Sequence, residues 1–341
     1  MYLQSLAHAV PQNAYSQSNC WELLNRSGQL DQLLPNSIAL LRKVLLNPRS
    51  SIDKRHFALP SPEKYLSLSA SALNHAFEIA APALSIQALN AALQRANIDA
   101  KELDALFVCT CTGYICPGIS SHIAGQMGLS PHIYMQDLVG LGCGAAIPTL
   151  RSAAGFAALH PQARIACVMV EICSAAFYLD DDPGVLISLC LFGDGASASI
   201  WSGESATQSL LRIGNFDTLH LPDKRECLRF GNRDGKLRNQ LSPAVPEVAA
   251  EAVDTLWQRA GKPSAILSHT GGREVLLAIE SRLDIPPLQA SHSVLADYGN
   301  VSSPSVMISL ERHLQTANPA PWLIAFGAGF AAHSAQLFSV S

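Results

Sequence analysis

Short, unbroken apolar runs stand at 105–108, 165–170, 196–200, 265–267 and 322–325. Runs of that length with no polar face predict strands covered on both sides. Between them, helical apolar spacing marks 70–80, 86–96, 144–159, 248–260, 273–283 and 303–314. The alternation predicts an α/β architecture. The pattern over 144–159 is apolar on nearly all sides, so this helix is expected inside, packed from both directions. The stretch 219–242 is the most polar and irregular, with Lys224, Arg225, Arg229 and Arg233, and is expected as a surface excursion.

The pattern repeats. Cys109-Thr110-Cys111-Thr112-Gly113 closes the run at 105–108, and His269-Thr270-Gly271-Gly272 follows the run at 265–267. Gly128-Leu129-Ser130-Pro131 comes after the first, and Asp284-Ile285-Pro286-Pro287 after the second. Cys111 precedes Cys143 by 32 positions, and His269 precedes Asn300 by 31. Pro148 and Pro304 fall in the first turns of the two helices that come next, where proline is tolerated. The period far exceeds the ~20–50 residues of solenoid repeats, so a duplicated domain is expected.

Length agrees with two packed halves, since 341 residues exceed the roughly 250–300 at which one core stops growing. A 48% hydrophobic and 15% charged composition describes a large core and leaves room for an oligomer interface. The net charge of −4, with no basic run, argues against nucleic-acid binding. No uninterrupted apolar stretch approaches the ~18 residues of a membrane span, and residues 1–12 lack signal-peptide character. Nine irregularly spaced cysteines suit reduced thiols in a cytoplasm.

Asp137 to Ala146 carries the strongest chemical signal. An apolar run ends in glycines, presents Cys143 and passes into an alanine-rich helical pattern. Glycines permit a sharp turn and leave space beside the thiol. A helix starting at the cysteine offers its free N–H groups and dipole to a thiolate. The placement matches a strand-to-helix nucleophile elbow with sulfur in place of oxygen. Taken alone, Cys143 is equally well a small buried residue, because a cysteine motif gains force only with a matching base. His269 alone would be an ordinary hydrogen-bonded histidine, and Asn300 after glycine is a good turn residue. Cys109, Cys111 and Cys116 lack the paired spacing of a zinc site, and no metal is expected.

Together these residues acquire a specific pattern. The chain resembles the type III polyketide synthases, the chalcone-synthase-like branch of the thiolase-fold condensing enzymes. The matching motifs are Cys111-Thr112-Gly113 through Cys116-Pro117-Gly118, the Cys143 turn and Leu191-Phe192-Gly193-Asp194-Gly195-Ala196. They continue with His269-Thr270-Gly271-Gly272-Arg273-Glu274-Val275-Leu276, Tyr298-Gly299-Asn300-Val301-Ser302-Ser303 and Phe326-Gly327-Ala328-Gly329. Their order holds over roughly residues 35 to 335. The Phe-Gly-Asp-Gly piece is shared with related synthases, but the ordered set is specific.

The resemblance implies a thiolase-like α/β fold, two duplicated halves in a layered αβαβα architecture. Residues 1–205 would carry the cysteine, and 206–341 the histidine and asparagine. Cys143 would be the nucleophile, His269 and Asn300 its partners, and Phe192 an aromatic gatekeeper. Cys111, Thr112, Asn239 and Ser302 would line the cavity, Asn239 near a second gatekeeper position. Cys116 would sit near a subunit boundary. Arg42 and Arg49 fall where relatives carry basic residues for coenzyme A phosphates, while a third such position is Leu45. The expected substrates are an acyl-CoA starter and malonyl-CoA, or a carrier-protein donor, with no further cofactor, in a cytoplasmic homodimer. A thiolate would hold the starter, and malonyl decarboxylation would place charge on a thioester oxygen. One donor aimed at such an oxygen is worth ~3–4 kcal/mol.

Departures concern the product more than the chemistry. Thr270 replaces the usual proline after the histidine, Pro304 follows the serine pair, and the C-terminal loop reads Ala325-Phe326-Gly327-Ala328-Gly329. The nearest alternatives are a single-condensation ketoacyl-carrier-protein synthase and, from another class, an inactive acyl-CoA-binding scaffold. A thiol protease also uses cysteine, histidine and asparagine, but the duplicated α/β pattern speaks against it.

Overall fold

A computed structural model of the protein describes residues 1–59, 61–206, 209–316 and 320–340. The first part of the chain forms β1 (Tyr2–Ala9), β2 (Ala14–Ser16), α1 (Gln17–Arg26), α2 (Pro35–Leu45), β3 (Lys54–His56), α3 (Pro62–Tyr65) and α4 (Ala70–Ala96). Then come β4 (Ala105–Thr110), α5 (Ile119–Met127), β5 (Tyr134–Val139), α6 (Ala146–Leu159), β6 (Arg164–Glu171), α7 (Pro183–Leu191) and β7 (Gly195–Ser202). The remainder comprises β8 (Leu211–His220), β9 (Leu228–Arg233), β10 (Lys236–Leu241), α8 (Val245–Arg259) and β11 (Ile266–Ser268). It ends with α9 (Arg273–Leu283), α10 (Gln289–Tyr298), α11 (Ser305–Leu314), β12 (Trp322–Gly327) and β13 (Ala331–Ser339).

Nine strands run in the order β11-β12-β13-β8-β1-β7-β6-β4-β5. The order is mirrored about the short β1–β8 pairing, Tyr2 opposite Arg212 and Leu3 opposite Leu211. On one side β4 is parallel to β6, which is antiparallel to β7, itself antiparallel to β1. On the other, β11, β12, β13 and β8 repeat those directions in the same sequence. The internal echo thus has a topological counterpart, with β5 as an additional edge strand.

Strand alternation builds the layers. Ala166, Val168 and Val170 of β6 face α4, whereas Ile165, Cys167 and Met169 face the opposite way, onto α6 and α11. In the second half Leu323 and Ala325 of β12 join that same central layer, and Trp322, Ile324 and Phe326 pack on α8 and α9. The result is the αβαβα sandwich of the thiolase-like fold. Helix α11 is the innermost, with every residue from Ser305 to Glu311 buried.

Three expectations need correction. The segments 70–80 and 86–96 form one helix, α4, which continues through Pro82. An internal proline costs ~3 kcal/mol, but Ala81, Leu84, Ala88 and Leu89 of this helix are buried in the core, and that packing outweighs the break. By length and composition alone α4 could cross a membrane, yet half of its most apolar window is buried inside the protein. Helix α6 is packed from both sides up to Leu150, but Leu159 at its end is 79% exposed. The polar stretch 219–242 is not a simple surface excursion: β9 and β10 pair as a hairpin that walls a cavity.

Candidate active site

Cys143 sits in a 3-10 turn, Gly142–Ala145, that leads directly into α6. The turn is seated against the loop after β12 by two glycines. Gly142 has φ +60°, and a Cβ there would lie 2.7 Å from the Ala328 nitrogen. A Cβ on Gly327 would lie 2.5 Å from the Leu141 carbonyl. His269 follows β11, Asn300 lies between α10 and α11, and Phe192 follows α7. All four side chains are buried.

Two sulfurs meet around one hydroxyl. Ser302 Oγ donates to Cys143 Sγ at 3.2 Å and lies 3.3 Å from Cys111 Sγ. The Cys143 thiol is held well below its usual range, chiefly by the hydrogen bond from the Cys111 thiol. Burial opposes this, while the hydrogen bond and charge of His269 and the Ser302 hydroxyl reinforce it. Cys111 moves the other way, through that same hydrogen bond, burial and the nearby Glu171 carboxylate. The geometry assigns the negative charge to the sulfur beside the histidine and the proton to the sulfur beside the carboxylate.

Glu171, at the end of β6, is the hub beneath this pair. Its Oε2 accepts from the Cys111 N–H at 2.9 Å, Thr112 Oγ1 at 2.9 Å and Thr110 Oγ1 at 3.2 Å. Its Oε1 accepts from Ser303 Oγ at 2.6 Å and lies 3.2 Å from Ser302 Oγ, whose single proton is shared between it and Cys143 Sγ. Burial pushes its carboxyl up, because among the described residues neutral donors, not a cation, replace its water. Glu171 therefore ties the Cys111–Thr112 segment to the Asn300–Ser303 loop. Thr112 is mainly a strut in this network, since its hydroxyl also accepts the Ile172 N–H at 2.9 Å.

Hydrogen-bond bookkeeping fixes the orientation of the other two polar groups. The Ser305 hydroxyl donates to the Ser302 carbonyl at 2.8 Å and accepts the Thr270 N–H at 3.3 Å. Its proton being used, it must accept from His269 Nδ1 at 2.6 Å. Nδ1 thus carries a proton, and Nε2 is the nitrogen turned to Cys143. The Phe326 ring packs edge-on against the imidazole, 5.2 Å between centroids. Asn300 Oδ1 accepts the Ser302 N–H at 2.8 Å, which leaves its NH₂ as a donor. Ser302 itself has φ +57°, a conformation that costs a serine about 1–3 kcal/mol and is held by these contacts.

Phe192 is coupled to Asn300 through the backbone: the two form a β-bridge, Gly193 N donating to the Asn300 carbonyl at 3.1 Å. Arg55 is buried and donates to the Phe192 and Leu189 carbonyls at 3.0 and 2.7 Å. Asp194 accepts from the Ala58 N–H and the Ser174 hydroxyl at 2.7 and 2.5 Å, and burial pushes its carboxyl up to about 6. The Phe-Gly-Asp-Gly motif is thus an anchor for the phenylalanine.

Two large cavities approach the site. One, of ≈ 510 Å³, is lined by Cys111, Thr112 and Gly142 on one side and by the β9–β10 hairpin on the other. The second, of ≈ 640 Å³, is lined by Leu191, Gly271, Gly272 and the start of α9. A small pocket touches Phe192, Asn239 and Phe230 together. Asn239 donates to Ser188 Oγ at 3.0 Å, and its buried Oδ1 has no partner. The second aromatic wall comes from Phe230, directly across the hairpin from Asn239. Arg42 lines a separate shallow depression with Trp21 and Pro48, and Arg49 lies exposed in the following turn, so neither borders the two cavities. Cys116 is exposed, Cys109 is buried with its thiol pushed up to about 12, and among the described residues no His, Cys, Asp and Glu cluster could hold a metal.

The arrangement can generate a thiolate, hold an acyl group on it, and present imidazole and amide N–H groups to a developing oxyanion. Sequence reasoning missed Glu171, Ser305, Arg55 and Phe230. Glu171 left a signal, a lone carboxylate ending the apolar run 165–170; the others left none.

The FAE1/Type III polyketide synthase-like family model matches residues 4–256. A 3,5-dihydroxyphenylacetyl-CoA synthase of Amycolatopsis orientalis is 32% identical over 322 residues, covering 89% of this chain and 83% of the relative. A 1,3,6,8-tetrahydroxynaphthalene synthase of Streptomyces peucetius subsp. caesius is 30% identical over 347 residues, covering 95% and 89%. In fold, the chain matches the crystal structure of 1,3,6,8-tetrahydroxynaphthalene synthase from Streptomyces coelicolor A3(2) with a TM-score of 0.89, at 21% identity and full coverage of both chains.

Proposed function

The chain belongs to the type III polyketide synthase family of condensing acyltransferases, and from that membership we propose which residues carry its reaction and what it makes. Cys143, its proton passed to His269 Nε2, attacks the starter thioester; the bond to CoA breaks, CoA leaves as a thiolate that is protonated from solvent, and Nε2 keeps its proton. Malonyl-CoA then loses carbon dioxide, and the thioester oxygen of the resulting enolate is met by the His269 N–H and the Asn300 amide N–H. The enolate carbon attacks the acyl-cysteine carbonyl, a carbon–carbon bond forms, and the Cys143 thiolate leaves. Repetition and ring closure give a small phenolic or pyrone product. The single observation that carries this reading is the proton bookkeeping around Ser305, Ser302 and Asn300: it puts the resting His269 proton on Nδ1, so that Nε2 can take the proton of the lowered Cys143 thiol and then serve as an N–H donor, and it leaves the Asn300 NH₂ as a second donor. Glu171 is the carboxylate beside the Cys143–Cys111 pair, and neutral donors occupy both of its oxygens.

The ≈ 640 Å³ cavity at Gly271–Gly272 suits the pantetheine arm, being mostly apolar with the N-terminus of α9 at its rim. The ≈ 510 Å³ cavity suits the growing chain. Arg42 and Arg49 remain available to the distal phosphates of coenzyme A. The division into a cysteine-bearing half, 1–205, and a histidine- and asparagine-bearing half, 206–341, belongs to the same reading and is supported by the mirrored strand order. A homodimer would cover β5, an edge strand with Tyr134, Met135 and Val139 each more than 40% exposed. Edge strands of that kind call for a partner.

Purified protein is to be incubated with malonyl-CoA and a panel of acyl-CoA starters, with free CoA, carbon dioxide and products followed by mass spectrometry. Multiply extended aromatic or pyrone products are expected. A single extension would point instead to a ketoacyl-synthase-like enzyme, and folded protein that decarboxylates neither CoA nor carrier-protein malonyl thioesters would be a scaffold.

A further inference from the structure

The cavity beside Cys143 carries an unexpected charge. Arg225, Arg229 and Lys236 all line it, and no carboxylate does, in a chain whose net charge is −4. Arg229 is shared with Glu226, at 2.9 and 3.1 Å, a carboxylate that is 72% exposed and does not line this cavity. Among the described residues, Arg225 and Lys236 have no carboxylate within ion-pair distance. The hairpin that presents Arg229 and Lys236 is pinned in place, because Arg238 on β10 is held by Asp180 at 2.6 Å and Asp182 at 3.2 Å, while Arg225 lies in the turn just before β9.

A neutral alkyl or aryl tail reaching this side of the cavity would offer Arg225, Arg229 and Lys236, which are exposed or half-buried, no counter-charge and no acceptor. A carboxylate at the end of the acyl group would supply both through charge-assisted hydrogen bonds, and arginine suits it through its forked geometry. We infer that the starter loaded on Cys143 is an acyl group ending in a carboxylate, recognised by Arg225, Arg229 and Lys236 across the cavity from the sulfur. The inference rests on the acyl-loading role of Cys143 proposed above. It concerns which thioester is selected and adds no step to the chemistry: the thioester bond to CoA breaks, the thioester to Cys143 forms, and the distal carboxylate stays unchanged.

Glutaryl-CoA and hexanoyl-CoA, similar in length but different in terminal charge, separate the possibilities. Acyl transfer to Cys143 is read by intact-protein mass spectrometry as rate against thioester concentration. The unaltered protein should load glutaryl better by about tenfold or more, the range of a hydrogen bond to a charged group. Arg229→Gln with Lys236→Gln should erase that advantage and leave hexanoyl loading unchanged or faster, while Lys236→Arg retains it. Arg225→Gln, on an exposed residue, gives a smaller loss in the same direction and guards against a folding artefact in the double variant. Preference of the unaltered protein for hexanoyl overturns the inference. An equal rise in KM for both thioesters in the variants also overturns it, since the cations would then be binding the phosphates of CoA. Loading of neither thioester, nor of any other acyl-CoA, removes the acyl-loading role itself and the specificity with it.

Discussion

Ser305 Oγ lies 2.6 Å from His269 Nδ1 while donating its own proton to the Ser302 carbonyl, so a helix residue fixes which imidazole nitrogen faces Cys143. Partners of this kind typically matter 10–100-fold when they orient a working histidine. Ser305→Ala should lower acyl loading by about tenfold. The position also supports the helix start, so a second reading is needed. If Ser305 only supports structure, the pH profile of Cys143 alkylation will stay where it is; if it sets the imidazole, the profile moves upward.

Thiol reactivity should divide sharply between two buried cysteines. The Cys143 thiol lies well below the ordinary range, chiefly through the hydrogen bond from Cys111, so its thiolate persists to lower pH than an ordinary cysteine's and is lost as pH falls through that lowered value. Cys109, pushed up to about 12, stays protonated throughout. Iodoacetamide at neutral pH, followed by peptide mapping, should label Cys143 first and Cys109 not at all. Equal labelling in folded protein would contradict the assignment of charge to Cys143.

Asn300 should act on the malonyl step more than on loading. Asn300→Ala removes an oxyanion donor, and such losses cost about 10²–10³ in rate. It also frees the Ser302 N–H, which is a structural change. Asn300→Asp keeps an acceptor for that N–H and opposes the enolate by charge, so it separates the two effects. Carbon dioxide release should collapse in both variants while acyl transfer to Cys143 changes only a few-fold.

Glu171 should matter for stability before it matters for rate. Glu171→Ala would strand the Cys111 N–H and up to four hydroxyls and is expected to cost about 3 kcal/mol or more. Glu171→Gln can still accept the Cys111 N–H and donate to a rotated Ser303 hydroxyl, so a loss of about 1 kcal/mol is expected. Urea denaturation of both variants measures the difference. A Glu171→Ala protein as stable as the parent would refute the hub.

Much of this protein was legible before any coordinates. The apolar runs at 165–170 and 322–325 mark strands covered on both faces, and they are: β6 and β12 divide their side chains between two helical layers. The arginine at 273 and leucine at 283 bound α9 as the spacing predicts. The echo between Cys111–Cys143 and His269–Asn300 reappears as a mirrored strand order. Strands β1, β8 and β13 escaped notice because polar residues such as Gln4, Ser5 and Ser334 interrupt their apolar character, and these are buried by long-range pairing. Pro82 concealed the unity of α4 for the same reason, since its tolerance is decided by packing.

Local chemistry along the chain determined the layered α/β class, the duplication and the three polar residues in the turns that end β5, β11 and α10, because periodicity and turn-forming glycines act over a few positions. Only the tertiary structure decided the protonation pattern and the charge of the cavity. Ser305 reaches His269 across 36 positions, Ser302 reaches Cys143 across 159, and the hairpin cations face a cavity floored by Cys111 and Gly142. A hydrogen bond or an ion's surroundings depend on distances in space, and neither is set until both halves of the sheet have closed around the central helices.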